Sequence, residues 1–344
     1  LRKGNQIPCL VRTRDPHHLV ILHIYHMHNT TKYKLILILS SSILSTLILI
    51  GAFEAVSTIL YYRWKANFDN SGWLGKVTIP SSDPVLLWEY RPYGKNEEIE
   101  TNRYGFRDRD YESTKKPDHT YRVAFAGDSV TLGLGVSLEE TFVRQLENEA
   151  AQMKLPYQVQ SLNFAVDGYN TIQIYEMIRT KVVDFSPDTV VYVVCLNDFD
   201  FTESSGDKVR YFQKPESFFL VTLEKVYRRL MGIEYHQYYF NKNKDIVFQT
   251  ILDMHDMLEQ EGISFQVVIM PIFPDTFQNY HLEGEHNEIG EFLDENDIRF
   301  FDLLDVFVGS GESPRYFAPG IWHLNSVGHL FVAQRLALWL FADK

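Results

Sequence analysis

The chain has 344 residues and a formal net charge of −12, with 45% hydrophobic and 14% aromatic residues, a composition that supports a sizeable core and excludes a disordered chain. Its length suits one large domain with an appendage. Within residues 1–34, Arg2, Lys3, Arg12, Arg14, Lys32 and Lys34 oppose Asp15, so the acidic excess falls on the remainder, which offers no basic footprint for nucleic acid.

Residues 1–34 read as a basic cytoplasmic leader. Residues 1–26 show neither apolar periodicity nor a capping pattern, and Met27 heads a short polar and basic stretch, which makes it a candidate start of translation. Leu35 to Phe53 then runs without a charge. As a helix it would cover about 28 Å, close to the ~30 Å hydrocarbon thickness of a bilayer. Residues 35–60 are therefore expected to form one transmembrane anchor. A cleaved signal peptide competes, because Ala55-Val56-Ser57 has the small-x-small form of a cleavage site. The apolar stretch exceeds the usual length of a signal-peptide core, which favours the anchor. Lys32 and Lys34 ahead of the span predict a cytoplasmic amino terminus and a periplasmic or extracytoplasmic body. Cys9 and Cys195 lie far apart, one on each side of the span, and no disulfide is expected between them.

Residues 61–120 are rich in Tyr, Trp, Pro, Asn and charge, without a long periodic segment, and read as a linker that becomes an irregular cap. In residues 121–344, apolar runs alternate with amphipathic ones. Strands are predicted at Arg122–Ala126, Gln158–Phe164, Thr189–Cys195, Ser264–Met270 and Ile298–Leu303. Helices are predicted at Leu138–Met153, Thr171–Val183, Asp245–Glu261, Glu288–Glu295 and Ser326–Phe341. Such alternation implies right-handed crossovers and an α/β fold: three αβα layers around a mainly parallel five-stranded sheet, preceded by one transmembrane helix. Ligands then bind beyond the strands' carboxyl ends, where Ser129, Gly168 and Asn197 fall. The segment Tyr211–Tyr239 interrupts the alternation and reads as an amphipathic helix and loop packed on the core, with a flap or a surface resting on the bilayer as alternatives.

Chemistry enters at Phe125-Ala126-Gly127-Asp128-Ser129-Val130-Thr131-Leu132-Gly133, where a strand ends in Gly-Asp-Ser, and at Trp322-His323-Leu324-Asn325 far along the chain. A serine hydroxyl is a poor nucleophile until a neutral imidazole accepts its proton, and this pair is the minimum equipment for acyl transfer. Alone, Gly-Asp-Ser reads equally well as a turn whose Asp128 or Ser129 caps the next helix.

Together these residues resemble the SGNH (GDSL-type) hydrolase family over roughly Tyr121 to the carboxyl terminus. Gly127-Asp128-Ser129 matches the block that carries the nucleophile, Asn163-Phe164-Ala165-Val166-Asp167-Gly168 the glycine block, Cys195-Leu196-Asn197-Asp198 the Asn-Asp block, and His323 the last block. The resemblance implies a flavodoxin-like sheet, Ser129 and His323 as catalytic residues, and an oxyanion hole from the Ser129 amide, the Gly168 amide and the Asn197 side chain. Asp128 and Asp198 would support the loops, and the chemistry calls for no metal or other cofactor. The family usually places an aspartate three residues before the histidine, and here that position is Gly320. Three readings follow: a backbone carbonyl in residues 318–322 orients His323, a remote carboxylate such as Asp302 or Asp305 reaches it, or the site is impaired. The first is favoured. Asn102-Arg103-Tyr104-Gly105-Phe106-Arg107 looks like an element that precedes the catalytic domain in membrane-anchored bacterial members, and its main role is expected to be a turn packed by Phe106. His17 with His18, and His281 with His286, fit no standard zinc spacing and are expected to be solvated loop histidines. His329 is expected to be structural.

The expected function is that of a membrane-anchored serine esterase that removes acyl groups, acetyl above all, from an envelope or exported polysaccharide through an acyl-serine intermediate. A lipase or lysophospholipase acting on lipid esters, an acyltransferase, and an inactive carbohydrate-binding domain are its rivals.

Overall fold

The computed structural model describes residues 16–70, 75–201 and 207–342. They divide into two compact units, one made of the residues up to Tyr61 with Ser217–Phe219, the other of Tyr62–Glu216 with Leu220 onward.

The first unit is built on α1, which runs from Pro16 to Asn70 and continues beyond this unit. Proline at the first turn has the φ a helix needs, and no second proline follows before Pro80. The helix therefore extends beyond both ends of the expected anchor, and residues 16–26 are helical where the sequence shows no periodicity. Within it, Thr30–Phe68 is long and apolar enough to cross a membrane.

The second unit opens with an antiparallel pair, β1 (Thr78–Pro80) and β2 (Trp88–Tyr90). There follow β3 (Thr120–Ala126), α2 (Ser129–Leu132), α3 (Phe142–Gln152), β4 (Gln158–Asn163), α4 (Thr171–Met177) and β5 (Thr189–Cys195). Then come α5 (Asp207–Phe212), α6 (Phe218–Met231), α7 (Tyr235–Gln260), β6 (Ser264–Met270), α8 (Glu283–Glu295), β7 (Phe300–Asp302), α9 (Leu303–Gly309), α10 (Pro314–Phe317) and α11 (Ser326–Phe341). The five long-range strands pair in the order β4-β3-β5-β6-β7, all parallel.

Central β5 explains the layering. All seven of its residues are buried. Val190, Tyr192 and Val194 join a core that includes Ile174 of α4, Val247 of α7 and Ile289 of α8. Val191, Val193 and Cys195 point to the other face, with Leu146 of α3 and Leu336 of α11. A period-two strand buried on both faces between helices is the doubly covered parallel sheet the apolar runs imply.

Several elements depart from the predicted bounds for local reasons. The helix expected over Thr171–Val183 keeps α geometry only to Met177, then passes through a π turn at Ile178–Val182 and a 3₁₀ turn at Val183–Phe185. Leu138–Glu140 is a separate 3₁₀ turn before α3, because the Thr141 hydroxyl caps α3 by accepting from Arg144 N. β7 is shorter than Ile298–Leu303 because the Asp302 side chain accepts from Leu304 N and starts α9. The tract ending in Tyr238-Tyr239-Phe240 is the first part of α7, with Tyr239 and Phe240 buried at one end of a stripe that continues through Asn243 and Val247.

Candidate active site

Ser129 is the first residue of α2, immediately past the carboxyl end of β3. Asp128 caps this short helix by accepting from Val130 N at 2.9 Å. Gly127 is required by packing: a Cβ there would lie 2.4 Å from Thr131 Oγ1 and 3.1 Å from Val193 O. The turn thus passes close to the adjacent strand and leaves Ser129 half-buried while its neighbours Asp128 and Val130 are buried.

His323 lies in the loop before α11, and its Nε2 is 3.0 Å from Ser129 Oγ. The structure therefore joins in space the serine and the histidine separated by almost two hundred residues. Gly168 has φ +79°, a left-handed conformation suited to glycine. Its loop is tied to the serine turn, since Val166 N donates to Gly127 O at 3.1 Å. Tyr90 OH reaches Asp167, and Tyr169 OH donates to Trp88 O, so β2 holds this loop from both sides of Gly168. Among the described residues, neither the Ser129 N–H nor the Gly168 N–H has a hydrogen-bond acceptor. Asn197 Nδ2 donates to Asp128 Oδ2 at 2.7 Å, which uses one of its two hydrogens. Asp198 lies in the interior, accepting from Tyr192 OH at 2.9 Å and Cys195 N at 3.0 Å, and burial pushes its pKa well up. Cys195 is a free, buried thiol whose pKa is likewise raised by burial, while Cys9 lies outside the described residues, as do the histidine candidates' side chains at His17 and His18.

Among the described residues, no carboxylate takes the third place of the usual constellation. Asp302 does not approach His323: it faces His286 Nδ1 at 3.0 Å and caps α9. Asp305 is exposed on α9. The favoured backbone-carbonyl arrangement is not formed either, because among the described residues the one hydrogen bond of the His323 ring is to Ser129. The Gly320 carbonyl accepts from Arg315 Nη1 at 2.7 Å, and the Ile321 carbonyl accepts from Phe273 N at 2.8 Å. Arg315 Nη1 also donates to Phe273 O at 3.1 Å, while Nε and Nη2 reach Asp275 Oδ1. Asn325 adds a third tie by capping α11 and donating to Tyr316 O at 2.9 Å. His323 is thus aimed by a loop whose backbone is pinned on both sides.

Histidines elsewhere divide. His281 is exposed, but His286 is 1% exposed on α8, which corrects its expected place in a solvated loop. His329 is buried on α11 and accepts from Phe142 N at 3.1 Å through Nδ1. Burial, assisted by Arg107, pushes its pKa down to about 3, so the ring stays neutral.

Arg107 and Arg315 carry positional roles that the sequence does not disclose. Arg107 is 4% exposed, and its guanidinium donates to Leu132 O and Gly133 O at 2.7 Å and to Val136 O at 2.6 Å. It holds the end of the turn that begins at Ser129. Asp108 beside it accepts from Tyr111 OH at 2.6 Å and Asn163 N at 2.8 Å, and burial raises its pKa to about 6. The Asn102–Arg107 element is a turn, as expected, with Asn102 Oδ1 accepting from Tyr104 N and Phe106 N. It is also a clasp on the serine turn. A cavity of about 930 Å³ opens between this cap and residues 135–140, and neither Ser129 nor His323 lines it.

The model of the GDSL-like Lipase/Acylhydrolase family matches residues 125–330. Among solved structures, an acetyl xylan esterase, AlAXEase, is 16% identical, covering 65% of this chain and 100% of its own, with a TM-score of 0.44. A lipase/acylhydrolase from Enterococcus faecalis is 16% identical over 64% of this chain and 95% of its own, with a TM-score of 0.43. A catalytic mutant of an acetylxylan esterase from Geobacillus stearothermophilus is 14% identical over 64% of this chain and 93% of its own, with a TM-score of 0.44. No curated relative matches the chain.

Proposed function

The chain belongs to the GDSL-like lipase/acylhydrolase family and is a serine ester hydrolase, and from that premise we propose that it works through an acyl-serine intermediate on Ser129 as a membrane-anchored enzyme outside the cytoplasm. The observation that carries the mechanism is the 3.0 Å contact between His323 Nε2 and Ser129 Oγ. The Ser129 oxygen attacks the ester carbonyl as His323 Nε2 takes its proton. The tetrahedral oxyanion receives hydrogen bonds from the Ser129 and Gly168 amides and from the second Nδ2 hydrogen of Asn197. His323 then gives its proton to the departing alkoxide, and water repeats the sequence to release the acid. Each donor removed from such an oxyanion hole costs about 3–4 kcal/mol of transition-state stabilisation. With no carboxylate at position 320, the pinned loop does the orienting.

The substrate proposed is an acylated, above all acetylated, envelope or exported polysaccharide. Topology motivates it: the apolar helix follows Lys32 and Lys34, which favours export of the body. Retention of the helix is supported by Glu54, whose carboxylate accepts from Phe218 N at 3.0 Å and Phe219 N at 2.8 Å. Cleavage after Ser57 would remove that cap. A serine-directed phosphonate is expected to label the wild-type protein and spare Ser129→Ala, and an ester panel is expected to favour acetyl over long-chain esters. Equal labelling of both proteins would remove Ser129 as the nucleophile, and a long-chain preference would remove the polysaccharide assignment.

A further inference from the structure

Helix α6 (Phe218–Met231) has no buried side chain. Leu223, Val226, Tyr227, Leu230 and Met231 are all exposed, Leu230 at 81%. At 3.6 residues per turn these five positions fall within one arc of about 140°. The other side of the helix is occupied: Glu224 accepts from Tyr239 OH at 2.8 Å and pairs with Lys242, and Arg228 lies over the Tyr235 ring at 5.0 Å. Packing on α7 therefore engages one side of α6 and leaves its apolar side bare. A contiguous apolar surface of this kind needs a partner.

The first turn of α6 indicates which. Ser217–Phe219 belong to the same unit as the apolar part of α1. Glu54 is the first charged residue after the Leu35–Phe53 stretch, and its carboxylate accepts from Ser217 Oγ, Phe218 N and Phe219 N. The Phe53 and Phe219 rings lie 6.2 Å apart, and those of Tyr61 and Phe218 lie 5.9 Å apart. α6 thus starts where the charge-free span stops, amid the aromatic side chains that gather at a membrane–water boundary. Lys225, Arg228 and Arg229 against Glu224 give it a basic polar side. We infer that α6 is an interfacial helix whose apolar arc enters the acyl boundary of the bilayer, with anionic headgroups favoured by its basic residues. This rests on the reading of α1 as a membrane span, and it makes the lipid surface a second attachment of the enzyme.

The full-length chain with Cys9→Ser, its remaining Cys195 buried, is reconstituted in vesicles of phosphatidylcholine and phosphatidylglycerol. A bimane fluorophore is attached in turn at Leu223→Cys, Tyr227→Cys, Leu230→Cys, Arg229→Cys and, in the span, Leu44→Cys. Acyl-chain-brominated lipid is expected to quench positions 44, 223, 227 and 230 at least threefold more than position 229. Quenching at 44 alone, with 223, 227 and 230 open to aqueous iodide, overturns the α6 assignment and leaves the anchor standing. Absence of quenching at 44 overturns the anchor and the α6 inference with it. Fluorescence at 223–230 that changes with protein-to-lipid ratio and not with bromination identifies a second copy as the occupant and also overturns it.

Discussion

Removing the Arg315 guanidinium tests whether a pinned loop substitutes for the absent acid. In Arg315→Leu the bonds to Phe273 O (3.1 Å) and Gly320 O (2.7 Å) disappear. The pair with Asp275 also goes, but that carboxylate side chain is 93% exposed and contributes little. Two carbonyl bonds at about 1 kcal/mol each place the stability loss at about 2 kcal/mol. The larger effect is expected in turnover. His323 keeps its Nε2 contact with Ser129 only while its loop stays in register, and misplacement of a reacting group by about 1 Å costs roughly 100-fold. The imidazole binds no substrate group in the ground state, so kcat falls and KM holds. Hydrolysis of p-nitrophenyl acetate, followed beside urea unfolding curves, separates the two quantities. Arg315→Lys, which can keep one carbonyl bond but not span both, is expected to lie between. If Arg315→Leu shows the expected destabilisation while kcat/KM stays within threefold of wild type, the loop does not depend on this clamp and the reasoning fails.

The remaining expectations concern acids and protons. Asp305→Asn should leave kcat/KM unchanged, and Asp302→Asn should retain it while losing about 1–3 kcal/mol of stability, because the latter removes charge from the buried His286 contact; a hundredfold loss of kcat/KM in either would install a remote acid in the mechanism. Gly320→Asp should fold normally, since a Cβ there meets no atom within 4 Å and the backbone is not left-handed, and should raise kcat if the carboxylate reaches Nδ1; a fall in kcat with unchanged stability would show that this loop cannot present an acid. His329, held neutral with its pKa at about 3, makes the unfolded state bind the extra proton below about pH 6.5, so its stabilisation is present above that pH and lost on acidification. Asp108, raised to about 6, has the opposite sign: between about pH 4 and 6 it is the folded state that holds the proton, so its cost grows as pH rises. Asp108→Asn should therefore lose stability on going from pH 6 to pH 4 more steeply than wild type, by about 1 kcal/mol per pH unit, in urea titrations; parallel profiles would refute the assigned burial effect.

Some of this architecture is legible in the sequence for a physical reason. β5 is buried on both faces, and its ends are readable because Pro187-Asp188 precede it and Asn197-Asp198 follow close behind, while Pro271 marks the end of β6. Serine, glycine, asparagine and histidine lie at strand ends or in the loop before α11, where a doubly wound sheet collects ligands. What stayed hidden is the work of arginines on backbone. A guanidinium that binds three carbonyls selects no partner side chain, so Arg107 shows only as the last letter of a turn motif, and Arg315 does not show because Phe273 and Asp275 lie about forty residues away in sequence. The start of α7 was obscured because aromatic residues fill several faces of its first turns, and helical period fades when apolar residues sit all round. His286 was misread for want of a partner near in sequence, since Asp302 arrives from another element.

The clasp of Arg107 on the Ser129 turn changes where the enzyme can be cut. Every strand of the parallel sheet lies beyond residue 119, so Tyr121 looks like a natural first residue for a minimal hydrolase. A protein begun there would keep the sheet, the serine and the histidine, yet it would expose three carbonyls at Leu132, Gly133 and Val136 and lose the tyrosine and tryptophan that brace the Gly168 loop. The smallest heritable and transplantable unit of this chemistry therefore includes the strand pair and turns upstream. Gene fusions, domain grafts or proteolytic trimming that respect the sheet but not the cap would yield a folded scaffold with a slack nucleophile.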